Sequence, residues 1–275
     1  MIQTLLLIGK VIFFLAVIHI TVQAISLYLH RDQTHRSVDL KPGLRNFYKI
    51  WLWWSSGMSP KQDLEWIGLH RKHHAKADSE EDPHNPESIG PWKLFVLAYP
   101  LYVKEVKKLY TRKVGSETEY AHYTRGLSND TTFDRILNSL PFVGLTLSLA
   151  TYSILLGWFG FVVWFLQFLW MPVAAGGVIN VLGHTIGHIP YQTKDTSRSL
   201  SPTTPGFLGW KWILVVLFNW GTCGEHLHNP HHNQPGSASF GPSRKLNFDI
   251  GYWWLVQFNK IGLINSIRVS ADYGH

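Results

Sequence analysis

The stretch Gly224-Glu225-His226-Leu227-His228-Asn229-Pro230-His231-His232 sets four histidines within seven residues, and its last five read H-x-x-H-H. Outward from it, His70-Arg71-Lys72-His73-His74 repeats the pattern, and His30-Arg31-Asp32-Gln33-Thr34-His35 reads H-x-x-x-x-H. Long apolar segments lie before the first of these clusters and between the second and the third. Neutral imidazole is a common protein ligand for first-row metals, and His70, His73 and His74, at i, i+3 and i+4, share one face of a helix. His184 stands one helical turn after Asn180, at the end of an apolar run. Together His30, His35, His70, His73, His74, His184, His228, His231 and His232 make nine candidate ligands. Nine exceed the coordination of one ion and suit two. His19, His122 and His275 read as isolated core or surface residues.

The rest of the 275-residue chain explains why such a cluster would lie beside a membrane. Hydrophobic residues make up 45% and charged residues 16%, against roughly 25% charged in soluble domains. Thirteen tryptophans suit a bilayer interface. The net charge of +7 comes without a basic run of the kind that binds nucleic acid, so no nucleic-acid partner is expected. The single cysteine, Cys223, excludes an intrachain disulfide framework and any Cys-based zinc or iron–sulfur site.

Three segments are long and apolar enough to cross a membrane, which takes about 20 residues: 2–29, 139–156 and 159–182. The first runs straight into His30 with no cleavage site, so it reads as a retained helix. The other two are joined by Gly157-Trp158, too tight for anything but a helical hairpin. Gln167 and Asn180, amides in apolar surroundings, are expected to face partners. The Phe47–Trp54 island and Trp212–Trp220 are too short to cross. Residues 79–91 read as a loop, and residues 92–111, with four lysines among apolar positions, as a helix lying on the membrane. Of 25 Lys and Arg, 17 fall in 30–136 and seven in 184–275. The positive-inside bias therefore puts both polar blocks in the cytoplasm. The expected architecture is all-α: one integral membrane domain over 1–275, three spans, the N-terminus outside, and every histidine cluster on one side.

These three boxes resemble those of the membrane fatty acyl desaturases, the integral-membrane di-iron enzymes. The likeness extends to Glu65-Trp66, Asp82-Pro83-His84-Asn85, Asn180-x-x-x-His184, and Gly224-Glu225 leading into the third box. It is strongest to bacterial members, which share runs such as His70-Arg71-Lys72-His73-His74-Ala75-Lys76 and Asn247-Phe248-Asp249-Ile250-Gly251. The resemblance implies that the nine histidines ligate two Fe²⁺ ions, that Asn180 holds a water on one of them, and that Glu225 orients a histidine without ligating. It implies no catalytic residue beyond the metal ligands. His84, His188 and His226 have no ligand counterpart.

The activity implied is O₂-dependent insertion of a double bond into a fatty acyl chain. Trp66 is a candidate wall of the substrate tunnel. An external donor such as ferredoxin or rubredoxin, with its reductase, would supply electrons, and membrane lipid would surround the spans. The implied location is the bacterial inner membrane with the site facing the cytoplasm. The boxes do not distinguish desaturation from hydroxylation, acetylenation or terminal-bond formation. A histidine-rich metal transporter would need ionisable residues along its spans, and a b-type cytochrome only one or two facing pairs. Both leave the duplicated H-x-x-H-H unexplained.

Two departures from the family pattern bear on geometry and substrate. Proline cannot donate within a helix interior, so Asn229 is expected to cap a helix that starts at Pro230, with His228 ahead of it. Animal acyl-CoA desaturases carry Arg and Asp where this chain has Gly68 and Leu69. That weakens a CoA ester and leaves acyl carrier protein or a lipid as the acyl carrier.

Overall fold

The computed structural model describes residues 2–200, 212–241 and 248–273; Asn247 and His275 lie outside them. The chain is mostly helical, as expected. The first apolar segment is one unbroken helix, α from Ile2 to Gln23 and π from Ala24 to Thr34. Its stretch Gln3–Thr34, 32 residues, is long and apolar enough to cross a membrane. Leu5, Leu6, Leu7 and Ile12 stand about 60% exposed around it. Its C-terminal half is buried among the other elements.

The hairpin forms where the sequence puts it. Helices Val143–Leu156 and Trp158–Met171 turn at Gly157, whose φ is +63°. A Cβ on Gly160 would lie 2.0 Å from the Tyr152 carbonyl oxygen, so only glycine lets the helices close there. Gln167 does face partners: it accepts from the Tyr152 hydroxyl at 2.7 Å and donates to Thr21 Oγ1 at 3.1 Å.

The span boundaries differ from expectation. The segment expected to begin at 139 is broken, because Leu140-Pro141 separates helix Thr132–Ser139 from Val143–Leu156 with a bend of 72°. Pro141 has no N–H to continue the ladder. The segment 159–182 is helical throughout but passes from α to π at Pro172 and reaches His184 through the turn Gly183–Thr185. Among the described residues one helix is long and apolar enough to cross a membrane, or two if the bent pair is one span.

The polar blocks fold against this frame. Helix Pro42–Ser56 carries the aromatic island and lies so close to the hairpin that a Cβ on Gly144 would meet the Trp53 carbonyl at 2.4 Å. Helix Pro60–Lys76 starts at a capping box between Ser59 and Gln62. Helices Pro91–Val96 and Ala98–Thr111 pack on the π stretch 172–182, where Phe95 sits 2.8 Å from the Cβ position of Gly177. Trp92, Val96 and Tyr99 point outward from them.

Two small antiparallel strand pairs are exceptions to an all-α reading. Lys113–Val114 pairs with Glu117–Thr118. Val38–Leu40 pairs with Ile264–Ile267, in the register Val38↔Ile267, and ties the C-terminal segment to the exit of the first helix.

Candidate metal centre

In an α-helix His30 and His35 would lie about 140° apart. In the π turn the His35 N–H bonds the His30 carbonyl at 3.0 Å, an i→i+5 closure that returns both rings to one side. Helix Pro60–Lys76 presents His70, His73 and His74. The short α segment Gly183–Thr185 delivers His184, and helix His228–Asn233 delivers His228, His231 and His232.

The third box corrects the expected cap. Its helix begins at His228 with Leu227 as N-cap, so Pro230 is the third helical residue. That place is still in the first turn, where backbone N–H groups have no partner within the helix, and proline loses nothing there. Asn229 is instead a buried hub. Its amide accepts from Tyr191 N at 2.9 Å and donates to the Tyr191 and Ser197 carbonyls at 3.0 Å.

All nine candidate histidines converge, and they sort into two sets. His30, His35, His70, His74 and His231 form one, and His73, His184, His228 and His232 the other; within each, the ligand atoms lie within 4.8 Å of one another. The second and third boxes each divide their histidines between the sets. His231 Nε2 is 2.9 Å from both His30 Nε2 and His74 Nε2, while His70 Nε2 is 3.1 Å from His74 Nε2 and His184 Nε2 is 3.1 Å from His228 Nε2. Two nitrogens each about 2.1 Å from one ion are about 3.0 Å apart at right angles and about 3.4 Å apart in a tetrahedron. The spacing is short enough for neighbouring imidazoles to share one ion.

Buried Nε2 atoms of His35, His73 and His232 have no hydrogen-bond partner among the described residues, a cost that a bound cation removes. Burial first, and neighbouring imidazoles second, hold His35, His70, His74, His228, His231 and His232 well below the ordinary histidine range. They are therefore neutral, as ligation requires.

Around the ligands stand carboxylates. Glu225 Oε1 lies 2.8 Å from His30 Nδ1 and also accepts from Ser26 Oγ. Burial works against its charge, but His30 and Arg31 outweigh that and keep it below the usual carboxylate range. Three further acids had no role in the sequence reading. Asp82 lies 2.9 Å from His73 Nδ1, Asp195 lies 2.8 Å from His232 Nδ1, and Asp78 lies 3.4 Å from His184 Nδ1. Only Asp82 carried a signal, in Asp82-Pro83-His84-Asn85. Asp195 reaches its partner through a loop that no pattern marks.

A cavity of about 440 Å³ is lined by His30, His70, Asn180 and Glu225 among its polar residues. Its walls are apolar, with Ile25, Leu69, Leu94, Ala98, Phe168 and Ile179 among them. Trp66 lines it and stacks on His70 at 5.0 Å between ring centroids. His84 also lines it, pushed down to about 4 by burial, with its ring 5.8 Å from that of His73. His226 is buried beside Glu225, and His188 pairs through its backbone with Ser199; neither joins a set.

At the positions of the missing Arg and Asp, a Cβ on Gly68 would lie 3.3–3.4 Å from Thr124 and Leu109, and Leu69 is a buried wall residue. Neither position offers a charged group.

The chain is similar to a "Delta-9 desaturase-like 2 protein" of Arabidopsis thaliana, 28% identical over 90% of this chain and 73% of that protein. It is 25% identical to an "sn-1 stearoyl-lipid 9-desaturase" of Synechocystis sp., over 90% of this chain and 68% of the relative. A "Hex-5-enoyl-[acyl-carrier protein] acetylenase" of Moorena producens is 28% identical over 75% of this chain and 61% of the relative. The family model described as fatty acid desaturase matches residues 7–240. Two histidine sets, one of which lines an apolar cavity through His30 and His70, carried on a sequence that matches this family over most of its length, make the chain a member of the fatty acid desaturase family.

Proposed function

We propose that this chain is an O₂-dependent desaturase of lipid-linked fatty acyl chains, with an iron ion at each histidine set. The convergence of nine histidines into two sets, with His30 and His70 of the five-histidine set lining an apolar cavity, carries the reading. Iron supplies what no side chain can, the reduction of O₂ and the removal of hydrogen from unactivated carbons. The protein's contribution is positioning. The five- and four-histidine sets would hold the ions, Glu225 fixes the His30 ring, and Asn180 at the cavity wall would hold a water beside one ion. Trp66, braced on His70, and the surrounding aliphatic side chains keep an acyl chain dry and aligned. Such alignment contributes about 7–11 kcal/mol when near-attack geometry is held.

A lipid as acyl carrier is favoured by uncharged packing at Gly68 and Leu69, by acyl-lipid relatives, and by the exposed Tyr99 and Phe142 among the cavity residues. In this reading 1–275 is one membrane domain with three spans. The exposed faces of the first helix and hairpin meet lipid, and the helices at 91–111 lie in the interface. The basic blocks face the cytoplasm of a bacterial inner membrane, where a ferredoxin- or rubredoxin-type donor delivers electrons. The acetylenase relative favours one second reading, that the same site carries a double bond on to a triple bond. Expression in a host with few fatty acids, followed by mass spectrometry of its lipids, tests the reaction. A new double bond is expected with the wild type and none with His73→Ala; identical profiles would overturn the assignment.

A further inference from the structure

The carboxylates behind the histidines are distributed unequally. Behind the four-histidine set, His73, His184 and His232 face Asp82, Asp78 and Asp195. Behind the five-histidine set only His30 has one, Glu225. Among the described residues no other member of either set has a carboxylate within 4.0 Å. The three aspartates form a linked belt. Asp82 accepts from the backbone N–H of Asp78 at 2.9 Å and of His84 at 2.8 Å, Asp78 accepts from Thr196 N, and Asp195 accepts from Ser197 N at 3.1 Å. Asp78 holds a left-handed φ of +61° in this arrangement, a strained place for a residue with a side chain.

We infer that Asp78, Asp82 and Asp195 make the two metal sites unequal, so that the four-histidine site holds its ion more tightly than the five-histidine site although it offers one imidazole fewer. This rests on the two-iron reading above. A divalent ion leaves one net positive charge among the five-histidine groups and one net negative charge among the four-histidine groups. An acid behind a ligating imidazole raises its basicity, and losing such a partner typically costs about 10–100-fold in metal affinity. Two additional acids oppose one additional imidazole, and the acids prevail.

The test is release of Fe²⁺ to a ferrous chelator from the full-length protein, loaded anaerobically in detergent. Two phases are expected, one iron per chain fast and one slow. His35→Ala should abolish the fast phase and His73→Ala the slow one. Asp82→Asn and Asp195→Asn should each speed the slow phase about 10–100-fold and leave the fast phase in place, whereas Glu225→Gln should speed only the fast phase. The fast phase serves as the control within the same molecule. Assignment of the slow phase to His35, or aspartate variants that leave it unchanged or speed both phases alike, would overturn the inference. Wild-type protein that binds fewer than two irons would instead overturn the two-iron reading itself.

Discussion

Arg31 Nη2 lies 3.1 Å from each carboxylate oxygen of Asp249, 218 residues away and fully out of solvent. The guanidinium also lies 3.8 Å over the Phe240 ring. Asp249 accepts in addition from Tyr252 N at 2.9 Å and Phe240 N at 3.0 Å. The pair therefore clamps the exit of the first helix, one residue from His30, to the C-terminal segment. Removing one partner of a buried pair costs about 3–5 kcal/mol, because the other charge is left unpaired. Asp249→Ala should lower the unfolding free energy by that amount in detergent denaturation. Gly251→Ala tests the same clamp from outside, since its Cβ would fall 1.8 Å from Arg31 Nη1; it too should destabilise.

Asn229 fixes the loop that carries Asp195. Asn229→Ala leaves the backbone groups of Tyr191 and Ser197 without their partner, at about 1–3 kcal/mol. Hydrogen exchange at amides 191–197 should speed markedly, with little change in the hairpin 143–171. Unchanged exchange would show that other contacts hold the loop.

Asp63 predicts a pH dependence. Burial, the largest influence, pushes it up to about 8, and the hydrogen bond from Tyr28 only partly offsets this. Between about pH 4 and 8 the folded chain keeps a proton that the unfolded chain has released, so this group's contribution to stability falls as pH rises and levels off above 8. Asp63→Asn, which mimics the protonated form, should flatten that slope. An unchanged slope in a pH series of denaturation curves would refute the assignment.

Ala98 lines the cavity. Ala98→Phe should occlude part of it, lowering yield from long acyl chains more than from short ones. Lipid mass spectrometry of paired cultures reads the shift; a uniform loss across chain lengths would point to misfolding rather than occlusion.

Metal binding should stabilise the folded chain, since the sets exist only there. At iron concentrations about 100-fold over Kd the gain is about 2.7 kcal/mol per site. Denaturation with and without a chelator measures it, and His231→Ala should lose part of the gain.

The sequence revealed the nine histidines, the hairpin at Gly157, and the paired amide of Gln167 because each rests on local spacing or on the cost of an amide in apolar surroundings. It did not reveal why His30 and His35 stand five apart, since the π turn that reunites them is dictated by packing rather than propensity. Asp195 was invisible for a related reason: its role is fixed by Asn229 and a loop 37 residues from His232 in sequence. Pro230 misled because a proline at the third helical position costs as little as one at the first. Pro141, present in the sequence but given no weight, is what shifts the second apolar segment.

Helix Pro60–Lys76 carries His70 and His74 to one set and His73 to the other, and helix His228–Asn233 divides His231 from His228 and His232 in the same way. Among the described residues both sets are histidine alone, with no carboxylate shared between them. The gap between the sets is thus ruled by the pitch of two helices rather than by a bridging group that swings with oxidation state. If each set holds an ion as proposed, the distance between the two ions follows the pitch of those two helices.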